Sequence, residues 1–492
     1  MSARHSDWLN WMPNSARYNQ RMETLPSPTG RFFEAHRQRR LALIERMASS
    51  GGGIALIPTA PEQTRNRDTH FPYRADSYFQ YLTGFTEPEA VLMLVVGRGD
   101  AVPQSILFCR EKNLEREIWD GFRHGPEGAR EMFGFDAAHA IGELDAKLPE
   151  LLADQPALWF SIGHDAGWDR RIATALNAVR AESRSGKRAP TAIRDVRVDL
   201  DAMRLVKDAA ELAIMRRAAE ISTGAHVRAM QFVAPGRFEY EVEAELLHEF
   251  RRHGCEYPAY TSIVAGGANA CVLHYVGNDQ VLRDGDLLLI DAGGELSGYA
   301  SDITRSFPVG GRFSGPQADV YGLVLDAQTA AIAVLRPGAT FAEPHEAALK
   351  VLAQGMLDLG LLDRNKVGSL DDVIEKRAYF QFYMHRTGHW LGMDVHDCGA
   401  YTEPSEIGQT SVRQDALTGD TIVNRPARIL RPGMVLTIEP GIYVRPAAGV
   451  PDAFHNIGIR IEDDAIVTTS GCELISRGVP VAADEIEALM RG

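Results

Sequence analysis

Three strand-length apolar runs in the C-terminal half of this chain each end on an acidic residue. The runs 287–291, 435–439 and 458–462 finish on aspartate, glutamate and glutamate, respectively. A carboxylate on so apolar a strand is costly to bury unless a cation or hydrogen-bond donors compensate its charge. The pattern therefore predicts a fold whose strands deliver polar residues to a common centre.

A further acid follows the first of these runs closely. Asp302 lies eleven residues after Asp291, and the intervening stretches 293–294 and 296–298 contain the glycines that hairpin turns favour. A hairpin here would carry both carboxylates on neighbouring strands that face one side. An acid that only caps a turn is the alternative interpretation of Asp291.

The last run also carries a basic residue. Arg460 and Glu462 are two residues apart, so on a strand they point to the same face, with Ile459 and Ile461 on the other. Arg460 could therefore hold Glu462 or a group of a substrate. A cross-strand ion pair is the structural alternative.

Histidines are concentrated in one short segment. His385, His389 and His396 are three of the fifteen histidines of the chain and lie within twelve residues. One imidazole together with four strand-borne carboxylates would form an oxygen-rich ligand set. Such a set suits two divalent cations, of which Mn is favoured and Co and Zn are alternatives.

Composition restricts the partners and the compartment. The chain has 52 Lys and Arg against 66 Asp and Glu, a formal net charge of −14, which disfavours nucleic acid and anionic lipid as partners. With 45% hydrophobic residues it is typical of a globular protein. No run approaches the roughly 18 apolar residues of a membrane span. The five cysteines form no CxxC pair, so we expect reduced thiols and a cytoplasmic protein.

Motifs of several other enzyme classes are missing from the sequence. We find no G-x-S-x-G, no P-loop and no G-x-G-x-x-G, which removes support for serine hydrolases, NTPases and dinucleotide oxidoreductases. His248 and His253 are five residues apart, about 140° around a helix, and are badly placed to share a metal. We interpret them as a solvated helix face.

The distribution of apolar runs predicts three segments. Residues 1–30 form a polar N-terminal arm, and 31–200 alternate short strands with helices as in an α/β domain. Residues 201–492 begin with a long helix, which we expect Asp208 to cap, and continue as an α+β domain. An insertion loop is expected at 401–428.

The ordered residues Asp291, Asp302, His389, Glu439 and Glu462, within the phrases DAGGE, ASDITRSFP, HWLGMDVHD, TIEPGIY and GIRIEDD, resemble the pita-bread dinuclear metallopeptidases. Within them the chain is most similar to aminopeptidase P, with prolidase next. The resemblance includes PYR and LTGFTEPEA near the N-terminus and so spans nearly the whole chain. It implies a pita-bread catalytic domain preceded by a smaller, creatinase-like α/β domain.

The same resemblance implies a ligand set and a reaction. Asp302 and Glu462 would bridge two metal ions, Asp291 would bind one of them, and His389 and Glu439 the other. A hydroxide between the metals would attack the carbonyl that precedes proline, while Glu439 transfers the proton. The implied substrates are peptides that begin with Xaa-Pro.

Further roles follow from the resemblance for residues around the metals. Three histidines would steady the substrate carbonyl or the tetrahedral intermediate and line the proline pocket: His274, His385 and His396. Arg460, Tyr260 and Tyr443 would lie beside the site. Trp119 would reach the specificity pocket across a subunit contact, which implies a homodimer or homotetramer.

Three alternatives remain at this point. Arg386, which stands where the family pattern has a small or apolar residue, and the insertion at 401–428 would favour prolidase, an Xaa-Pro dipeptidase. A metal-free pita-bread module that binds peptides would be expected to lack some of the five ligands, all of which are present. The metal-independent creatinase-like amidinohydrolases share the fold but not this ligand set.

Overall fold

The computed structural model describes residues 28–97, 102–404, 411–415 and 418–491. The predicted polar arm, 1–30, lies outside them except for its last three residues. The chain divides into two compact units, Met1–Leu200 and Asp201–Gly492. Among the described residues, no helix has the length and apolar character needed to cross a membrane.

The first unit is built on a six-stranded mixed sheet with the order β6-β5-β4-β1-β7-β8. Its strands are β1 (Gly53–Pro58), β4 (Val91–Val96), β5 (Gln104–Cys109), β6 (Ala137–Ala140), β7 (Ala157–Trp159) and β8 (Ala192–Arg194), and a separate small hairpin contains β2 (Thr64–Asn66) and β3 (Thr69–His70). The helices are α1 (Pro28–Ser49), α2 (Ser77–Thr83), α3 (Leu114–Asp120), α4 (Gly125–Phe133), α5 (Leu144–Leu152), α6 (Ala166–Ala181) and α7 (Arg197–Arg204), the last of which continues into the second unit. Apolar side chains of β1, β4, β5 and β7 pack against α5 and α6 to form the core of this unit.

The second unit is an α+β fold in which helices cover several small antiparallel sheets. Its helices are α8 (Ala209–Phe232), α9 (Glu239–Arg252), α10 (Gly315–Val334), α11 (Glu343–Asp358), α12 (Arg364–Val367), α13 (Leu370–Glu375) and α14 (Ala483–Arg491). Its strands are β9 (Tyr257–Pro258), β10 (Ile263–Gly266), β11 (Leu287–Asp291), β12 (Gly294–Leu296), β13 (Tyr299–Ala300), β14 (Thr304–Pro308), β15 (Ser411–Gln414), β16 (Thr421–Asn424), β17 (Val435–Ile438), β18 (Gly441–Val444), β19 (Ile457–Arg460), β20 (Asp463–Val467) and β21 (Cys472–Leu474).

Helix α8 begins at the predicted cap. The side chain of Asp208 accepts hydrogen bonds from the backbone N–H groups of Ala210 and Glu211, and the Glu211 carboxylate accepts one from the N–H of Asp208. This reciprocal arrangement satisfies N–H groups that the first helical turn leaves unpaired. His248 on the next helix, α9, and His253 directly after its end are both exposed.

The two hairpin acids lie in the sheet β10-β11-β14 and the connection between its strands. Asp291 ends β11 and pairs with Thr304 of β14. The chain turns between β12 and β13 at Ser297 and Gly298, whose φ angles are 51° and 80°, within one of the stretches that the sequence indicated. The chain also passes very close to itself at Gly293, where a Cβ atom would lie 1.7 Å from the carbonyl oxygen of Ser301.

The other two acidic runs form antiparallel pairs nearby in the chain's second unit. Strand β17 pairs with β20, and β18 pairs with β19, so that Gly441 lies opposite Arg460. Glu439 therefore follows the end of β17, and Glu462 lies between β19 and β20. Both acids sit where a strand has just ended, which leaves their side chains available to a common centre.

The predicted insertion loop contains regular structure in its described part. Strands β15 and β16 pair antiparallel, with Val412 opposite Val423. Asp415, at the turn of this hairpin, forms an ion pair with Arg377. Residues 405–410, 416 and 417 lie outside the described part of the insertion.

Candidate metal centre

Asp302, His389 and Glu462 form the centre of the candidate site. Each offers one ligand atom, and these atoms all lie within 4.8 Å of one another. All three residues are buried. The sequence separates them by up to 160 positions, and His389 is attached to β17 by the backbone N–H of Thr437, which donates to the His389 carbonyl oxygen at 3.0 Å.

Asp291 is joined to this group by a tyrosine. The phenol oxygen of Tyr260 lies 2.6 Å from Oδ1 of Asp291 and 2.5 Å from Oδ1 of Asp302. Its hydroxyl donates to this pair of carboxylates, and burial together with their negative charge raises the pKa of Tyr260 well above its ordinary value. Tyr260 therefore fixes the relative orientation of the two acids.

Glu439 lies on the side of His389. Its Oε1 atom is 3.7 Å from Nε2 of His389, and its Oε2 atom is 3.8 Å from Nδ1 of His385. The backbone N–H of Glu439 donates to the carbonyl oxygen of Thr387 at 2.8 Å, which attaches this acid to the histidine segment. Four carboxylates and His389 are thus arranged around one volume.

The carboxylates are held in an environment that disfavours their charge. Burial, and then the charge of neighbouring acids, raises the pKa of Asp302 and of Glu462. Burial also raises the pKa of Glu439 to about 7, although His389 and Arg460 oppose the shift. Divalent cations would offset the charge of these buried acids, and oxygen-rich groups of this kind fit hard or intermediate divalent metals.

His389 has the orientation of a metal ligand. Its Nδ1 lies 3.0 Å from the carbonyl oxygen of Trp390 and donates to it, so Nε2, which lies 3.4 Å from Asp302, is the nitrogen that would bind a cation once it has lost its proton. Without a cation, burial would lower the pKa of His389, but Asp302 and Glu439 outweigh burial and raise it to about 9. The imidazole thus responds strongly to the charge of the two acids.

Arg460 contacts three residues of the site. Its Nη2 lies 2.6 Å from Oδ2 of Asp291, and it donates to the Tyr443 hydroxyl at 2.9 Å and the Thr304 hydroxyl at 3.2 Å. Its ion pair is with Asp291, and it reaches Glu462 only through Thr304, whose hydroxyl donates to Glu462 at 2.6 Å. Arg460 thus contacts Glu462 through Thr304 rather than directly, and its expected role in orienting Glu462 or contacting the substrate stays a prediction.

His385 has protein partners at both ring nitrogens. Its Nε2 is 2.8 Å from the hydroxyl of Tyr443, and its Nδ1 is 2.7 Å from the carbonyl oxygen of Arg386. Burial and the charge of Arg460 lower the pKa of His385 to about 3. The neutral ring therefore donates from Nδ1 and accepts the Tyr443 hydroxyl proton at Nε2.

His396 and His274 complete the histidines expected at the site. The ring of His396 lies against that of His389, with 4.0 Å between centroids, and burial lowers its pKa to about 4. His274 is exposed, and its chain neighbours Leu273 and Tyr275 pack against the apolar cluster that contains Tyr443. The remaining expected residue, Trp119, lies in the first unit and is 83% exposed.

Sequence reasoning missed two polar supports of the site. Thr304 joins Arg460 to Glu462, and Asp464 accepts the backbone N–H of Asp302 at 3.1 Å. Both residues are fully buried. Thr304 lies two residues after Asp302, and Asp464 lies two residues after Glu462. This closeness to predicted ligands was the signal that could have identified them.

Comparison with known proteins gives two domain matches. Residues 213–469 match the family model described as metallopeptidase family M24, and residues 36–159 match the one described as aminopeptidase P, N-terminal domain. The predicted fold class, a pita-bread domain preceded by a smaller α/β domain, is confirmed by these matches and by the mixed helix and sheet content.

Individual relatives are similar over nearly their whole length. The chain is 43% identical over 453 residues to the Xaa-Pro aminopeptidase of Escherichia coli, which covers 92% of this chain and 96% of that protein. The structure of aminopeptidase PepP from Pseudomonas aeruginosa superimposes with a TM-score of 0.86 at 46% identity, over 93% of this chain and 98% of that one. Zn-substituted E. coli aminopeptidase P in complex with product matches with a TM-score of 0.85 at 42% identity and the same coverage.

Proposed function

This chain belongs to metallopeptidase family M24, and we propose that it releases the N-terminal residue from peptides whose second residue is proline. The observation that carries the proposal is the buried group of Asp302, His389 and Glu462, with ligand atoms within 4.8 Å of one another. Asp291 and Glu439 supply two further carboxylates at its edge. The similarity to Xaa-Pro aminopeptidases supports the choice of substrate.

The residues present fit two divalent cations, which we propose to be Mn(II), with Co and Zn as alternatives. Asp302 and Glu462 would contact both ions, Asp291 one of them, and His389 and Glu439 the other. Four carboxylates balance the charge of two such ions, which accounts for acids whose pKa values burial otherwise raises. When bound, the ions supply a Lewis acid for the scissile carbonyl and lower the pKa of a water molecule.

Glu439 is assigned the transfer of the proton. Its carboxylate is buried at the site, where burial raises its pKa to about 7, within the range that suits an acid or base near neutral pH. It would accept a proton from the attacking water and pass it to the nitrogen of the leaving proline. Its backbone hydrogen bond to Thr387 keeps it beside His389 during this exchange.

Three histidines and a tyrosine are assigned to the substrate. His274 and His396 would hydrogen bond to the scissile carbonyl and to the tetrahedral intermediate. His385 and Tyr443, joined to each other and to Arg460, would form a wall of the proline pocket. Hydrogen bonds that strengthen as the oxyanion develops contribute a few kcal/mol, about 3 for one donor.

A second copy of the chain is proposed to complete the specificity pocket. Exposed apolar side chains on and beside helix α3 form a cluster, which we name the α3 patch: Leu114, Ile118, Trp119 and Phe122. Three of them are more than 70% exposed. Apolar clusters of this kind mark protein contacts, and a homodimer or homotetramer would place Trp119 against a neighbouring subunit.

The remaining proposals concern compartment and partners. The described cysteines are all free thiols, which supports a cytoplasmic protein. A net charge of −14 supports peptides rather than nucleic acids as partners. The metal, the compartment and the assembly state are each open to direct measurement.

The experiment that tests the function compares two substrates. Purified protein, stripped with a chelator and reloaded with Mn(II), is given an Xaa-Pro dipeptide and an Xaa-Pro tripeptide, and the products are identified by mass. Release of the first residue from the tripeptide supports the proposal. Cleavage of the dipeptide alone would make the chain a prolidase, and no cleavage with no bound metal would favour a peptide-binding module.

Variants of the ligands serve as controls in that assay. Asp302→Ala and His389→Ala should abolish turnover while circular dichroism shows that the fold is kept. Full activity of either variant would contradict the ligand assignment. Arg386 is exposed beside His385, so Arg386→Leu tests whether this cation influences the preference between dipeptide and tripeptide.

A further inference from the structure

We propose that the carboxylate of Glu239 is a positioning group that holds His274 in place at the active site. The inference rests on the proposed function, in which His274 steadies the substrate. Glu239 is the first residue of helix α9 and is completely buried. It lies outside the metal-binding group, and the proposed reaction does not use it directly.

Four hydrogen bonds connect Glu239 to one loop. The loop comprises residues 266–280, and we name it the His274 loop. The donors to Glu239 are the backbone N–H of Gly266 (2.7 Å), the side-chain amide of Asn269 (3.0 Å), the hydroxyl of Tyr275 (2.8 Å) and the backbone N–H of Gln280 (3.0 Å). The carboxylate thus contacts the first residue of the loop, its last residue and the neighbour of His274.

The chemistry of these contacts requires a carboxylate. All four partners donate, and two ionised oxygens have the capacity to accept four hydrogen bonds. A glutamine of the same size would present an NH₂ group to two of these donors and leave them unsatisfied. Burial and the bond to Glu239 raise the pKa of Tyr275 to about 12, so its hydroxyl keeps its proton and remains a donor.

The His274 loop links Glu239, which we call the anchor, to the candidate site. The loop begins at Gly266, the last residue of strand β10, in which Ile263 lies opposite Asp291. Near the end of the loop, the side chain of Asn278 accepts the backbone N–H of Val264 in β10 at 3.0 Å. His274 itself is exposed, and its two chain neighbours, Leu273 and Tyr275, pack against the apolar cluster that contains Tyr443. With both ends of the loop bound to buried groups, the position of His274 depends on the anchor rather than on packing of its own ring.

The same helix offers a matched control. Glu243 lies one turn after Glu239 on α9 and makes no hydrogen bond to the His274 loop among the described residues. Glu243→Gln therefore makes the same chemical change without altering the anchor. Tyr275→Phe removes one of the four donors to Glu239 and leaves three. It is therefore a milder test, and it remains informative if a substitution at position 239 prevents folding.

The first measurement is amide hydrogen exchange of the His274 loop, followed by mass spectrometry in the presence and absence of Mn(II). We expect exchange of residues 266–280 to rise about tenfold or more in Glu239→Gln, to rise less in Tyr275→Phe, and to be unchanged in Glu243→Gln. Unchanged exchange in both anchor variants would overturn the proposal, whatever the chain's activity.

The second measurement is a double-mutant comparison on the Xaa-Pro tripeptide, with bound metal determined for each protein. We expect Glu239→Gln to lower kcat about tenfold with KM changed less than threefold and metal content unchanged. In a His274→Ala background the same substitution should cost less than twofold, because the group that it positions is already absent.

The outcomes separate this inference from the proposed function. Losses that multiply in the double variant would show that Glu239 does not act through His274 and would overturn the inference. A wild-type chain that leaves every Xaa-Pro peptide intact would overturn the proposed function and the catalytic role of His274, while exchange would still decide whether Glu239 holds the loop.

Discussion

The guanidinium of Arg460 lies 2.6 Å from Oδ2 of Asp291, although the two residues are 169 positions apart in the chain. The other guanidinium nitrogens donate to Tyr443 and Thr304. Through these bonds one side chain orients a proposed metal ligand, the partner of His385, and the residue that donates to Glu462. Because the guanidinium is planar and carries fixed donors, no other cationic side chain can make the three contacts at once.

Replacement of Arg460 should therefore lower activity strongly, because this side chain positions several residues of the site. We expect Arg460→Met to lower kcat/KM on an Xaa-Pro tripeptide about 100-fold, or roughly 3 kcal/mol, because Asp291 and Tyr443 lose their common donor. Arg460→Lys should be intermediate. Steady-state kinetics with saturating Mn(II) measures both effects.

The control for this prediction is Arg216→Met. Arg216 forms an ion pair with Glu473 in which both side chains are exposed, and such pairs contribute little. We expect kcat/KM of this variant to lie within twofold of wild type. Arg460→Met activity within threefold of wild type would contradict the positioning role.

The crowded carboxylates predict a conflict between stability and activity. Burial and the charges of Asp302 and Glu439 raise the pKa of Glu462, so its ionised form is destabilising in the absence of cations. Glu462→Gln keeps the volume and can still accept the hydroxyl of Thr304. In chelator, we expect its melting temperature to equal or exceed that of wild type, while Mn(II) stabilises only the wild type.

The activity of the same variant should fall at least 1,000-fold, because a proposed ligand of both ions is lost. Glu473→Gln, at an exposed position, should change neither the melting temperature nor the activity. The prediction would be contradicted by a Glu462→Gln protein that is less stable than wild type in chelator. It would also be contradicted if Mn(II) stabilised this variant as much as it stabilises wild type, since Glu462 would then not be a metal ligand.

Much of the candidate site could be predicted because its acids follow local patterns. The apolar runs that end at Asp291 and Glu439 are observed as strands β11 and β17, and the cap at Asp208 begins α8. Each of these features depends on a few consecutive residues: hydrophobic period, turn chemistry and capping. Such signals persist in the folded chain because local preference and tertiary packing agree there.

The supporting contacts could not be predicted in the same way. Thr304 donates to Glu462 over 158 positions, and Glu239 receives donors from a loop up to 41 positions away. Hydrophobic periodicity cannot identify a residue whose role depends on a contact with a strand that is distant in the sequence. Arg460 illustrates this limit: strand alternation left Glu462 and a substrate group as candidate partners, whereas its guanidinium forms an ion pair with Asp291, 169 positions away.

The α3 patch predicts an assembly that a single substitution can disrupt. Ile118 is 81% exposed beside Trp119, and burying both would favour association. We expect the wild type to sediment as a dimer or tetramer and Ile118→Glu to shift toward monomer, with a loss of tripeptide hydrolysis because Trp119 is no longer supplied. Analytical ultracentrifugation measures the shift.

Ile162→Glu is the control for the assembly prediction, since Ile162 is also an exposed apolar residue of the first unit but lies outside the α3 patch. Its sedimentation should match that of wild type. An Ile118→Glu protein with an unchanged assembly state would remove the α3 patch as the contact surface, and a monomeric wild type would remove the proposed oligomer.

His226 predicts a loss of stability in mild acid. Its ring is fully buried on α8, Nε2 donates to the carbonyl oxygen of Ala292 at 2.9 Å, and burial lowers its pKa to about 4. The folded state therefore resists protonation, whereas the unfolded state accepts a proton near the ordinary pKa of about 6.5. The contribution is complete above pH 6.5 and is lost as the pH falls toward 4.

The loss expected from His226 alone between pH 7.5 and 5.5 is about 1.4 kcal/mol, since one pH unit below the unfolded pKa costs that amount for a single group. Urea unfolding in chelator measures it, with His226→Gln as the comparison because glutamine can still donate to Ala292 and does not titrate. The variant should lose about 1.4 kcal/mol less than wild type over this interval. An equal loss in both proteins would show that the pKa of His226 is not lowered in the folded state, because other buried histidines contribute equally to both.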